Sequence, residues 1–442
     1  LQELEKRIEA KRKRVDPATC VYTQQFFNLY AEGIFNWGRA SDYAACAFNL
    51  KGMNALNLKV GMENGTFMIK TYVCGLQELL GEDGIVARNS GDNFSTIFLK
   101  DRIDDVIAYL SGKEIFLENG SVNGFMSAHA GFYLITENCE TPVELADILA
   151  TAVRNAKENH TEPYVFYDDN LKRQIDEAKR IEEMFEAAIE GEEFLVYYQP
   201  KVELERYRLC GAEALCRWKH GDSMVLPFKF IPVFERNGDI CTLDFYMLEH
   251  VCRDLCRWID EGREVVRVSV NLSRLHLGNK ELLSHILSVV DTYGIPHEYI
   301  EIELTETAIE VDYGELKALV SGLHEAGIHT SVDDYGIGYS SMNLLRELPW
   351  DVIKIDRSFI PLCNGDAEDE KRKIMINSMI EMVDALGLQC IAEGVETISQ
   401  IILLKEHGCY LAQGYYFDKP LPVAEFERRL SDKDRKNQKG VA

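Results

Sequence analysis

The sequence predicts an α/β chain in two parts: a C-terminal (β/α)8 barrel preceded by a smaller α+β domain. Three observations lead there. At 442 residues the chain is too long for one ordinary hydrophobic core, so two domains are expected. From Phe194 onward, short β-like runs alternate with helical patterns, the signature of a mostly parallel sheet. Those runs finish on polar residues, and in a barrel the C-terminal strand ends surround one pocket.

The elements follow in chain order. Residues 1–14, LQELEKRIEAKRKR, read as a connector helix with Leu1, Leu4 and Ile8 in coiled-coil-like register, and Lys11 to Arg14 read as its solvated end. Residues 15–168 mix helices and strands. IVARNSGDNFSTIFL is strand, tight turn and strand, with Ser90-Gly91-Asp92-Asn93 at the turn. FMSAHAGFYLI is a further strand-like run, and PVELADILATAVRNAKEN is an amphipathic helix. Residues 169–191 form a linker helix, with an apolar stripe of Leu171, Ile175, Ile181, Phe185 and Ile189 and a natural stop at Gly191. The barrel occupies 192–430, with strand-like runs FLVYYQP, CGAEALC, VRVSVNLS, YIEIELTE, IHTSVDD, DVIKID, LQCIAEG and YLAQGYYF. A polar tail, 431–442, closes the sequence.

Composition narrows the function. A net charge of −25, from 48 basic and 73 acidic residues, argues against extended nucleic acid as a partner, because such binding needs a basic surface. A small anionic ligand remains compatible if metal ions neutralise it locally. The 12 cysteines are scattered without a CxxC, which reads as reduced thiols in a cytoplasmic protein and not as a zinc site. No apolar run reaches membrane-spanning length. The sequence begins at Leu1, not Met, which leaves room for an upstream sensor domain or membrane tether outside it.

The polar residues that close the strand runs are Gln199, Glu213, Asn271, Glu303, Asp333 with Asp334, Lys354, Glu393 and Gln413. Five carboxylates and an amide oxygen are hard ligands, suited to Mg²⁺ or Mn²⁺. Crowded acids repel one another unless cations intervene, and two divalent ions would remove the conflict. Two-metal sites activate water and clamp a phosphodiester for in-line attack, and Lys354 adds positive charge where the transition state gathers negative charge. Phosphodiester hydrolysis is therefore the expected chemistry. The pair Asp333-Asp334 within SVDDYGIGYSS has a plainer alternative, a solvated Asp-Asp-x-Gly turn.

YYQPKV, GAEALCRW, FIPVFE, VNLS, EIELTET, DDYGIGYSS, IKIDRSF, IAEGVET and QGYYF occur in that order. Across roughly 175–430 they resemble the EAL family of cyclic di-GMP phosphodiesterases. The resemblance implies a modified TIM barrel whose first strand is antiparallel, and hydrolysis of cyclic di-GMP to linear pGpG with two Mg²⁺ or Mn²⁺ ions. It implies Glu213, Asn271 and Glu303 as ligands of one metal, Asp333 as a bridge, and Asp334 and Glu393 as ligands of the other. It gives Lys354 to the attacking water, with Gln413 helping to hold that water. Gln199 and Arg217 fall at substrate-contacting positions, and Glu306 at one that steadies the loop beginning at Asp333. A homodimer is expected. Tyr335 and Ile337 depart from the usual Phe and Thr. The alternative is a non-catalytic cyclic di-GMP receptor.

Residues 15–168 resemble the GGDEF family of diguanylate cyclases, through DPATCVYTQQFF, VARNSGDNF and ELADILATAVRNAKEN. The resemblance places Asn49, Lys51 and Asn93 where that family carries acids, Thr66 where it carries the acidic guanine contact, and GEDG at Gly81–Gly84 in place of an inhibitory Arg-x-x-Asp motif. Such a domain is a degenerate cyclase, expected to serve as a regulatory or dimerisation module.

Overall fold

The computed structural model describes residues 14–116, 123–158, 162–305, 313–336, 342–363 and 365–432. The chain divides into two compact units between Glu177 and Ala178, inside the helix Asp169–Glu190. Among the described residues, no helix is long and apolar enough to cross a membrane.

The first unit is built on β1 (Tyr22–Thr23), β2 (Tyr43–Leu50), β3 (Ile85–Ser90), β4 (Asn93–Leu99), β5 (Lys113–Phe116), β6 (Asn123–Met126), β7 (Ala128–Leu134) and β8 (Tyr164–Phe166). Six of these form a sheet in the order β1-β3-β4-β2-β7-β8, and β5 pairs with β6 apart from it. Strand alternation explains the layering. Ala44, Cys46 and Phe48 of β2 pack in one apolar cluster with Met68, Tyr72 and Leu76 of the helix Met62–Leu80. Ala45 and Ala47 pack on the opposite face with Phe27 and Ile34 of Gln24–Asn36 and Leu145 and Leu149 of Pro142–Glu158. From Ala44 to Phe48 the strand is thus apolar at every position, as a stretch covered on both faces should be. The expected β3–β4 hairpin forms, with Gly91 at φ +53° in its turn. The run FMSAHAGFYLI is not one strand: it contains the end of β6 and all of β7.

The second unit contains β9 (Phe194–Glu203), β10 (Arg208–His220), β11 (Ser223–Val225), β12 (Arg267–Leu272), β13 (Ile300–Thr305), β14 (His329–Tyr335), β15 (Val352–Ile355), β16 (Gln389–Ala392), β17 (Leu411–Gln413) and β18 (Leu421–Pro422). Strands β10, β12, β13, β14, β15, β16, β17 and β9 follow one another around a barrel, which β9 closes against β10. Strands β12 to β17 run parallel, whereas β9 is antiparallel to both of its barrel neighbours. Period-two alternation sorts the side chains. Ile300, Ile302 and Leu304 of β13 point outward into the main apolar cluster, together with Leu255 and Trp258 of the helix Ile240–Asp260. Glu301 and Glu303 therefore share the inner face.

One expectation needs correcting. Several of the polar residues do not end their strands. Gln199 and Glu213 lie mid-strand, directly opposite each other across β9 and β10. Asn271, Glu303, Asp334 and Lys354 each precede one or more further strand residues. Only Gln413 is a terminal strand residue, and Glu393 follows β16 directly. The reason is alternation: the residue that enters the barrel is set by its parity along the strand, not by where the ladder stops.

Candidate active site

Lys354 lies at the centre of the acidic residues. It is 1% exposed, and its Nζ lies 2.8 Å from Glu303 Oε2, 2.9 Å from Asp333 Oδ1, 2.8 Å from Glu393 Oε1 and 3.5 Å from Glu213 Oε2. Burial alone would lower its pKa, but Glu213, Glu303, Glu393 and Asp333 outweigh burial and hold the ammonium well above its ordinary value. Four strands and one strand-end loop from across the barrel thus meet at one ammonium.

The acids answer unequally. Burial works against ionised Glu303, yet Lys201 and Lys354 together hold it down to about 2. Burial drives Glu393 up to about 8, with Asp333 and Glu213 adding like-charge repulsion against the pull of Lys354. Glu213 is likewise raised by burial, against Lys354. One ammonium cannot neutralise the whole ring, so part of the ring is best kept protonated or paired with further cations.

Local structure explains each placement. Glu213 Oε1 accepts from Asn271 Nδ2 at 3.1 Å, and its Oε2 accepts from Gln413 Nε2 at 2.6 Å. The turn after Asn271 is anchored by buried Asp244, which accepts from Ser273 N at 2.8 Å and pairs with His276 Nε2 at 3.1 Å. Gln413 comes close to the Glu393 loop because Gly414 follows it. A Cβ at Gly414 would stand 2.2 Å from the Val395 carbonyl oxygen, so only glycine allows this approach. The same loop is fixed at its far end by a capping box, in which Thr397 accepts from Gln400 N and Gln400 Oε1 accepts from Thr397 N.

The Asp333-Asp334 pair is not a solvated turn. Val332 pairs with Ile353 and Tyr335 with Ile355, so two residues of β14 oppose Lys354 alone. This is a β-bulge, and Asp334 takes the left-handed conformation at φ +55°. A non-glycine residue there costs of order 1 kcal/mol, and Asp is among the residues that tolerate it best. The bulge cancels the usual alternation, so both carboxylates can serve one region.

The donor set fits divalent cations. One group comprises Glu213, Glu303 and Asp333, another Asp333, Asp334 and Glu393, and within each group the ligand oxygens lie within 4.8 Å of one another. Asp333 belongs to both. Glu393 Oε1 is buried with the Lys354 ammonium at 2.8 Å as its close partner, which leaves a lone pair of this oxygen for a cation. Every donor is oxygen, as Mg²⁺ and Mn²⁺ prefer.

The remaining expected residues lie around this cluster or outside it. Gln199 is buried and faces Glu213 across the strands. Arg217 is two alternations from Glu213 on the same face of β10, half-buried, with its guanidinium 5.7 Å from the Tyr197 ring centre and Nη1 donating to the Cys216 carbonyl at 2.8 Å. It contacts none of the clustered acids in the described residues. Glu306 and Ile337 lie outside the described residues.

Residues 182–420, just over half of the chain, match the EAL domain family. The chain belongs to that family. Cyclic di-GMP phosphodiesterase NbdA of Pseudomonas aeruginosa is 30% identical over 429 residues, covering 94% of this chain and 54% of NbdA. Signaling protein YkoW of Bacillus subtilis is 28% identical, covering 86% of this chain and 48% of YkoW. The chain thus spans about half the length of the curated relatives it matches. The PaMucR phosphodiesterase, solved in complex with c-di-GMP, is 29% identical with a TM-score of 0.53, over 56% of this chain and 99% of that one. Vibrio cholerae LapD, solved as S helix-GGDEF-EAL with c-di-GMP bound, covers 94% of this chain and 99% of its own at a TM-score of 0.63. At 18% identity that likeness speaks to fold, and it extends across both units.

The sequence reading missed part of the EAL domain's polar interior. Lys201 of β9 donates to Ser269 Oγ at 2.8 Å, Glu301 Oε1 at 2.9 Å and Glu303 Oε1 at 2.9 Å. The signal was present in QPKV and EIELTE, where Lys201 shares a face with Gln199 and Glu301 with Glu303.

In the first unit, two of the residues noted in the sequence face each other. Asn49 and Asn93 are paired across β2 and β4, and Asn49 Nδ2 donates to Asn93 Oδ1 at 3.0 Å. Asn93 Nδ2 in turn donates to the Ser90 carbonyl and to Asp92 Oδ1, both at 3.3 Å, which ties the two neutral amides into the hairpin turn.

Proposed function

We propose that this chain hydrolyses cyclic di-GMP to linear pGpG, using two Mg²⁺ or Mn²⁺ ions. The observation that carries the reading is the five carboxylates in two groups sharing Asp333, within the part of the chain that matches the EAL family. The phosphodiesterase names of NbdA and PaMucR support the substrate class. Glu213, Asn271, Glu303 and Asp333 would hold one ion, and Asp333, Asp334 and Glu393 the other. Bound there, hard divalent ions supply Lewis acidity toward a phosphodiester and acidify water near neutral pH. Lys354 then serves as a fixed ammonium that orients the nucleophile and offsets charge developing on the phosphate. Gln413 holds Glu213 in place and, with it, the geometry about the nucleophile. Gln199, opposite Glu213 on β9, and Arg217, two alternations from Glu213 on β10, would receive the anionic ligand.

The test is incubation with cyclic di-GMP in Mg²⁺, Mn²⁺, Ca²⁺ or chelator, with identification of products. We expect pGpG in Mg²⁺ or Mn²⁺ and none in chelator. Ca²⁺ should support turnover poorly, because its larger radius and looser coordination misplace the reacting groups. Tight binding with no product in either active metal would replace this reading with that of a receptor.

We assign residues 15–168 as a degenerate GGDEF-like domain that regulates or dimerises the barrel of residues 192–430, in a cytoplasmic homodimer. Cyclisation of GTP needs acids to hold metal–triphosphate, and neutral amides are weak substitutes. The expected result is no cyclic di-GMP from GTP and Mg²⁺ in a product assay. Formation of any would show that Asn49 and Asn93 suffice.

A further inference from the structure

We infer that Lys201 is a positioning residue for the proposed metal site, acting through Glu303 from beneath the ring of acids. The inference rests on the phosphodiesterase reading and adds a group that lies outside the donor set. Glu303 is held on both sides: Oε1 accepts from Lys201 Nζ at 2.9 Å, and Oε2 accepts from Lys354 Nζ at 2.8 Å. Its side chain is fully buried, so bulk solvent takes no part in orienting it. Lys354 lies among the acids and must face whatever binds there. Lys201 does not. Its three donors are taken by Ser269, Glu301 and Glu303, which is the full capacity of an ammonium.

The barrel interior is shaped around this lysine. A packed (β/α)8 barrel is normally filled by branched apolar side chains. Here the inner positions of β9, β12 and β13 carry Lys201, Ser269, Glu301 and Glu303 instead. Gly211 pairs with Lys201 across β9 and β10, and a Cβ there would press to 3.4 Å of Lys201 Cδ and 3.3 Å of the Arg267 carbonyl. Glu301 is the counter-charge that lets the lysine be buried, and Arg267 Nη1 stands 3.6 Å from its other oxygen. Buried ions of this kind persist only when fully paired. The arrangement fixes one oxygen of Glu303 below, so that the other is presented above in one rotamer. Partners that orient a ligand carboxylate typically carry 10–100-fold in metal affinity or activity.

The test compares the whole chain with two variants, using Mn²⁺ alone as the probe. Lys201→Met by itself leaves Glu301 buried without its partner and invites misfolding, so the informative variant is Lys201→Met/Glu301→Gln, which removes one charge of each sign. Thermal unfolding checks the fold, and calorimetric titration of Mn²⁺ without substrate reads the site. We expect the double variant to remain folded and bind Mn²⁺ about 10–100-fold more weakly. Glu301→Gln alone, which keeps the Lys201–Glu303 contact, should bind within about threefold of wild type, below the range expected for losing an orienting partner. At saturating Mn²⁺ the KM for cyclic di-GMP should stay near wild type while kcat falls. A folded double variant with wild-type Mn²⁺ affinity overturns the role of Lys201 alone. Wild-type protein that binds no Mn²⁺ overturns the metal reading and this inference with it.

Discussion

Glu213→Ala is expected to abolish turnover while the protein stays folded. The Glu213 carboxylate is 3.5 Å from Lys354, accepts from Asn271 and Gln413, and belongs to one of the two metal-fitting groups. Removing it takes away a metal donor and also the acceptor that fixes two neighbouring amides. A metal ion typically supplies several kcal/mol of transition-state stabilisation, so losing about 4 kcal/mol means roughly a 10³-fold fall in kcat. The fold should tolerate the change. Burial raises the Glu213 pKa, which marks its charge as a strain on the metal-free barrel. Trading it for a methyl relieves like-charge crowding and offsets part of the lost hydrogen bonding. Product assays and thermal unfolding, run side by side, separate chemical loss from structural loss. Near-wild-type turnover would mean that Glu213 holds no metal.

The barrel and its inward polar set were legible because they are written in periodicity. Each of the eight strand runs overlaps an observed strand, and alternation put the chemistry on one face. Other features depend on pairing that no single segment reveals. The antiparallel course of β9 came from family resemblance, since strand direction leaves no trace in local pattern. Lys201 and Glu301 were not legible as site residues because the strand ends alone point to the mouth of the barrel, whereas the polar interior extends one alternation deeper. The break between β6 and β7 falls within an apolar-rich run, where hydrophobicity alone does not mark an interruption. The bulge at Asp333-Asp334 requires knowing that β15 offers only Lys354 opposite two residues.

That bulge yields the sharpest test of the site, because it sets two adjacent carboxylates to different tasks. Asp333 belongs to both metal-fitting groups and pairs with Lys354 at 2.9 Å, whereas Asp334 belongs to one. Asp333→Asn removes charge shared by both ions and should lower kcat by about 10³-fold at any Mn²⁺ concentration, the cost of losing several kcal/mol of transition-state stabilisation. Asp334→Asn keeps a side chain that also tolerates the left-handed backbone, so β14 should hold its course. It weakens one ion only. Its activity should fall about 10–100-fold at low Mn²⁺ and recover in part as Mn²⁺ is raised, because mass action refills a weakened site. The measurement is kcat against Mn²⁺ concentration for both variants. Two superimposable curves would deny Asp333 its bridging place. Small and equal losses would leave the bulge without a metal role, with the ion pair from Asp333 to Lys354 as its whole purpose.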